Sequence, residues 1–129
     1  MYKLSILFRP PSDIPTFEHD WAHTFVPLAE AMPGILRVAV SNIDGGPDGP
    51  APFYKSHEFY FENRAAMDTA MNSEAGMRAG HALNAIATGL FTILFCEVLE
   101  DIVRESGKPP EQQLPTSNNQ NPNPHVVDL

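Results

Sequence analysis

Cysteine is nearly absent from this 129-residue chain: the one thiol, Cys96, excludes any internal disulfide framework. A lone thiol fits a reducing compartment, and the cytoplasm is the expected location. No apolar run approaches the ~20 residues of a membrane span. Leu4 to Phe8 is too short and too alternating for a secretory leader, and Arg9 with two prolines ends it. Basic residues are scarce too, 8 against 16 acidic ones, for a net charge of −8. That balance repels a phosphate backbone, and no Lys/Arg stripe offsets it, so no nucleic-acid partner is expected and the charge reads as solubility.

What is present suffices for one domain with a single core. Its organising stretch is Phe17 to Gly34. Phe17, Trp21, Phe25, Leu28 and Met32 fall at helical spacing and form one apolar stripe. Pro27 interrupts it. Proline has no N–H to offer the carbonyl of His23 and its ring crowds that carbonyl, so the helix is expected to kink or break just before it.

Ahead of that helix, Tyr2 to Arg9 alternates as a strand, with Tyr2, Leu4, Ile6 and Phe8 on one face. Ser12 or Asp13 can cap the helix, and Pro33-Gly34 turns the chain into a second strand, about Ile35 to Asn42. Residues 43–52 carry three glycines and three prolines and form a loop, without the Lys-Ser/Thr and helix of a phosphate cradle. A third strand spans Phe53 to Phe61, with Lys55, His57, Phe59 and Phe61 on one face and Tyr54, Ser56, Glu58 and Tyr60 on the other. Asn63 and Ser73 can cap two helical pieces, the second ending near Thr88-Gly89. Its Ala75, Ala79, Ala82, Leu83, Ile86 and Ala87 make a small-residue face. Phe91 to Val98 is the last strand.

The order β-α-β-β-α-β predicts an α+β, ferredoxin-like fold: a four-stranded antiparallel sheet with both helices on one face. The other face would then be bare and apolar, and a second copy pressed sheet to sheet would cover it, giving a homodimer. Residues 1–103 make up this domain. Residues 104–129, with five prolines and many Asn and Gln, form a separate C-terminal tail or arm that cannot build a core.

T-F-V-P-L-A (Thr24 to Ala29) followed by M-P-G-I-L-R (Met32 to Arg37) resembles the T-H-x-P-L-x…L-P-G-L-R signature of the EthD family, named for ethyl tert-butyl ether degradation. His57 to Phe61, Asn72 to Gly76 and Ala87 to Val98 resemble it as well, in the same order over roughly residues 1–100. The resemblance implies a dimeric α+β barrel, a homodimer of ferredoxin-like units with a small-molecule cleft. Relatives of that architecture include methylmuconolactone isomerase, fungal polyketide dehydratases and cofactor-free oxygenases. Two positions depart from the family pattern. Phe25 stands where the family has its histidine, and His23 lies two residues earlier, about 200° round the helix. The acidic residue of the family's second helix has no match in His81-Ala82-Leu83-Asn84.

The candidate catalytic residues are His57, Glu58 and His81, side chains able to move protons near neutral pH. His57 and Glu58 are adjacent in a strand and face opposite sides, so only one of them can face the cleft. His81 with Asn84 could orient a carbonyl from the helix. Trp21, His23, Phe25, Tyr54 and Tyr60 are the expected pocket residues beside Asn84. His19 and His23 share a helix face at i, i+4, but no third ligand or H-E-x-x-H pattern accompanies them, so no metal is expected. The reading is a cofactor-free proton-transfer enzyme, an isomerase, dehydratase or similar, acting on an apolar oxygenated small molecule. The alternative is a non-catalytic ligand-binding accessory of a partner oxygenase.

Overall fold

Alternation along the first strand decides which side chains meet the helices. In the computed structural model, which describes residues 1–103 and 126–127, β1 (Tyr2–Phe8) lies inside an antiparallel sheet. With β2 (Arg37–Asn42), β3 (Lys55–Phe61) and β4 (Phe91–Glu97) it forms four strands in the spatial order β2-β3-β1-β4. Between β1 and β2 run α1 (Ile14–Asp20), a π-helical turn (Trp21–Phe25) and α2 (Val26–Ala29). Between β3 and β4 run α3 (Arg64–Asn72) and α4 (Glu74–Ala87). This is the expected ferredoxin-like βαββαβ arrangement.

Leu4 pairs across β1 with Phe59 and Phe95, and Ile6 with His57 and Ile93, so these residues share the helix side of the sheet. There Leu4, Ile6, Phe8, Phe59 and Phe61 join Phe17, Phe25, Met67, Ala79 and Leu83 in one core. Each fully buried Phe contributes about 2–3 kcal/mol of transfer free energy. Alanines at positions 79, 82 and 87 let α4 pack closely. Local chemistry sets the element ends: Asn63 Oδ1 accepts from the Ala66 N–H at 2.9 Å, and Ser73 Oγ from the Gly76 N–H at 3.0 Å. Gly89, at φ +75°, turns the chain out of α4 into β4.

The expectation of a broadly apolar outer sheet face is corrected. The same alternation that sends the large apolar side chains of β1 and β3 to the helices sends Lys3, Ser5, Glu58 and Tyr60 outward. Lys3 Nζ lies 2.7 Å from Glu58 Oε2, and the Arg37 guanidinium sits 4.0 Å over the Tyr60 ring. Exposed apolar side chains gather instead along the sheet edges, at Val40 on β2 and at Ile93, Leu94 and Phe95 on β4.

The described residues fall into two units, one of residues 1–97 and a second that begins at Val98. In the second, β5 (Asp101–Ile102) pairs antiparallel with β6 (Val126–Val127). Apart from those two valines, the tail or arm expected over residues 104–129 lies outside the described residues. Among the described residues, no helix is long and apolar enough to cross a membrane.

Candidate functional site

Asp13 starts the helix that forms one wall of the site. Its Oδ1 accepts from the Thr16 N–H at 3.1 Å and its Oδ2 from the Thr16 hydroxyl at 2.8 Å. These bonds, the backbone one first, hold the Asp13 carboxyl below the usual carboxylate range. One turn on, Phe17 enters the core. The interruption expected ahead of Pro27 takes the form of the π-helical turn, in which the Val26 N–H reaches back to the Trp21 carbonyl. The wider turn accommodates a proline that has no N–H to give. Trp21 and Phe25, at its two ends, both reach His57: the ring centroids lie 5.4 and 5.8 Å away, at interplanar angles of 66° and 81°.

His57 projects from β3 to the helix side and is 0% exposed. The Phe59 ring lies tilted against it at 4.3 Å. The Trp21 indole N–H donates to Nδ1 at 3.3 Å. An indole can only donate, so Nδ1 carries the lone pair and the proton of the neutral ring is on Nε2. That Nε2 has no hydrogen-bond partner among the described residues. A buried donor left unpaired costs about 1–3 kcal/mol. Burial first, and the nearby Lys55 charge second, push the imidazole down to about 4. At neutral pH His57 is therefore an uncharged donor at Nε2 rather than a base there.

Behind Trp21 stands an ion pair. Lys55, two residues before His57 and 3% exposed, places Nζ 3.8 Å from the Trp21 ring centroid. A cation over an indole contributes from about 0.5 to 2 kcal/mol, more as water is excluded. Its charge is met by Glu18, with Nζ 3.0 Å from Oε2 and 3.1 Å from Oε1, and the Tyr54 hydroxyl donates to the same carboxylate at 2.5 Å. Partial burial alone would raise Glu18, but the hydrogen bonds from Tyr54 and Lys55 and the Lys55 charge hold it below the usual range. Tyr54 is pushed up to about 12, by its bond to Glu18, by desolvation and by the carboxylate charge.

Phe25 and Phe59 also line a cavity of about 90 Å³, partly open to solvent, between the sheet and α4. Leu4, Ile6, Met32, Met71, Leu83 and Ile93 line it with them, and the remainder is Gly76, Ala79 and Gly80. No lining side chain is polar. An apolar cavity of roughly 150 Å³ takes up benzene, so this smaller one encloses about four heavy atoms of a ligand, the rest lying at its open side unless a wall residue moves.

The structure thus brings Trp21, Phe25, Tyr54 and His57 into one neighbourhood, but of these four Phe25 alone lines the cavity; Trp21 and Tyr54, expected in the pocket, stand behind His57 at the ion pair. It does not bring the other candidates there. Glu58 and Tyr60 face the opposite side of the sheet, where Glu58 accepts from Lys3 at 2.7 Å, Ser5 at 3.4 Å and Tyr60 at 3.2 Å. Burial first, then the Glu58 charge, raises Tyr60. Lys3 is raised as well: its partial burial acts downward, but the bond to Glu58 and that residue's charge prevail. His81 and Asn84 are exposed on α4, and the Asn84 amide turns back to the Gly80 carbonyl at 3.2 Å. His23 is exposed, stacked on His19 at 4.3 Å, with its Nδ1 2.9 Å from the His19 carbonyl oxygen. Among the described residues no group of three or more His, Cys, Asp or Glu could hold a metal ion. Lys55 and Glu18 are the site residues that sequence reasoning missed. The available signal was a lysine two before His57 on an apolar strand face, and a glutamate three before Trp21 on the helix.

No protein-family model matches the chain. An uncharacterised 11.0 kDa protein of Rhodococcus erythropolis, from the thcB-thcC intergenic region, is 29% identical over 97 residues, which cover 75% of this chain and 94% of that protein. Among solved structures, a dimeric ferredoxin-like protein of unknown function from Jannaschia superposes with a TM-score of 0.57 at 17% identity, over 75% of this chain and 98% of that one. SnoaB of Streptomyces nogalater, a cofactor-independent oxygenase, superposes at 0.53 with 16% identity, over 74% and 90%. Higher in both measures is an ethyl tert-butyl ether degradation (EthD) family protein of Bacillus halodurans. Its TM-score is 0.73 and its identity 30%, over 75% of this chain and 97% of that one. With that identity sustained across nearly the whole relative, the chain belongs to the EthD family.

Proposed function

We propose that the chain works as a homodimer that takes a small apolar molecule bearing an acceptor oxygen under its bent first helix and promotes proton transfer on it without a cofactor. The dimer is supported by the Jannaschia neighbour, itself described as dimeric. Cofactor-free chemistry is supported by SnoaB, described as a cofactor-independent oxygenase. The observation that carries the reading is the buried, unpartnered Nε2–H of His57, packed against two lining residues of an apolar cavity. A neutral imidazole N–H fixed in a dry site can polarise a carbonyl and stabilise the oxygen of a forming enolate. The α-proton would pass to a water or buffer base at the open side of the cavity. Isomerisation, dehydration and enol rearrangement all begin with that step.

One observation favours a second reading, a ligand carrier without turnover: no lining side chain can act as a base, and Phe25 occupies the wall. Cyclopentanone and its hydrocarbon isostere methylenecyclopentane separate the cases. A single hydrogen bond gives the ketone about a tenfold tighter complex, by titration calorimetry or NMR, and His57→Phe removes the preference. Faster deuteration of cyclopentanone at its α-carbon in D2O then supports the enzyme, and binding without exchange supports the carrier. Equal affinity for the two probes overturns both.

A further inference from the structure

Two neighbouring elements each place two residues in register at the site. Glu18 and Trp21 are three apart on the first helix, and Lys55 and His57 are two apart on β3. Glu18 faces Lys55 at 3.0 Å, and the Trp21 N–H faces His57 Nδ1 at 3.3 Å. The Lys55 ammonium, 3.8 Å over the indole, ties the two contacts together. Tyr54 adds a second anchor on Glu18.

We infer that the Glu18–Lys55 pair is a positioning device for His57: it seats the Trp21 indole so that its N–H meets Nδ1, and so fixes the ring proton on Nε2. An exposed tryptophan rotates about two side-chain bonds, whereas here the ammonium covers one ring face and His57 meets the N–H. Moving the proton to Nδ1 would set N–H against N–H and forfeit that hydrogen bond. The imidazole plane is held separately, by Phe59 and by the edge-on contact with Phe25. Lys55 and Glu18 thereby determine whether the site offers a donor or an acceptor, and with it which oxygen chemistry it selects. That a ligand oxygen receives the Nε2 proton rests on the function proposed above; the tautomer itself does not.

Long-range proton–nitrogen correlation on protein labelled with 15N-histidine reads the tautomer directly, because protonated and unprotonated ring nitrogens resonate far apart. His57 of the unaltered protein is expected to show a protonated Nε2 and a bare Nδ1. Lys55→Met keeps the bulk and removes the charge. The expected result is loss of the single-tautomer pattern, the two nitrogen shifts moving toward each other, while Lys55→Arg restores it. Trp21→Phe, which keeps a ring under the ammonium but deletes the N–H, should lose the pattern as well. If Lys55→Met does not fold, Glu18→Gln takes its place, with a shift in the same direction expected. A purely structural role would lower the melting temperature and leave the nitrogen pattern unmoved, which overturns the inference. A protonated Nδ1 in the unaltered protein overturns it too. The expected tautomer without any preference for cyclopentanone over methylenecyclopentane instead overturns the proposed function and leaves this pair in its role.

Discussion

His57 should impose a pH dependence on folding whose size follows from its surroundings. Its folded-state value is about 4, against 6.5 for a free imidazole, through burial and then the Lys55 charge. Above pH 6.5 the ring is neutral whether the chain is folded or not, and its contribution is complete. As the pH falls from 6.5 towards 4, only the unfolded chain binds the proton, so unfolding is favoured. Each pH unit is worth about 1.4 kcal/mol, and the window therefore costs the fold about 3 kcal/mol. Below it both states are protonated and the loss is finished. Carboxylates held low in the fold, Glu18 and Asp13 among them, add a separate loss at lower pH in any variant that retains them. The assay is urea unfolding across this pH range at one fixed protein concentration, comparing the unaltered protein with His57→Gln. The free-energy difference between the two should change by about 3 kcal/mol, with the unaltered protein losing more as acid is added. Two parallel pH curves would refute the reasoning, since they would mean that the buried ring takes up its proton as readily as an exposed one.

Two further outcomes concern the cavity wall. A Cβ on Gly76 would stand 2.3 Å from the Ala70 carbonyl oxygen and 2.5 Å from that of Met71, both backbone atoms, whereas one on Gly80 meets nothing within 4 Å. Gly76→Ala should therefore cost about 3 kcal/mol by forcing the α3–α4 junction apart, and Gly80→Ala should gain up to about 1 kcal/mol of helix propensity; denaturation midpoints of equal size would contradict the geometry. Phe25→Ala should lose about 3–5 kcal/mol of stability yet admit acetophenone, which is too large for the present cavity; calorimetry showing no gain in acetophenone binding would deny Phe25 its place in the wall.

Much of the fold was legible because its boundaries are set by local chemistry. Asn63, Ser73 and Gly89 each act through their own backbone or side chain, so reading the chain in order finds them. Pro27 announced a break but not its form: whether a helix kinks or widens depends on what Trp21 and Phe25 pack against, and that lies 36 and 32 residues away. The same limit hid Lys55 and Glu18. A lysine on an apolar strand face is intelligible only when the partner from another element is known. The outer face was misread for a related reason: single-strand alternation located Lys3 and Glu58 correctly, but not that register sets Lys3 opposite Tyr60 and Ser5 opposite Glu58, so that the Lys3 ammonium meets the Glu58 carboxylate on the diagonal. That His57 and Glu58 face apart was legible, since neighbours in a strand do; which of them faces the helices is decided by how the core packs.

The widened turn at Trp21–Phe25 has an evolutionary corollary. Each residue of a regular helix advances the azimuth by about 100°, so losing or gaining one codon in this turn would re-aim either the indole or the phenyl ring as a block. Length variation at this spot, rather than exchange of one amino acid for another, is therefore the shortest mutational route to a differently shaped cavity wall, and it leaves the sheet as it was.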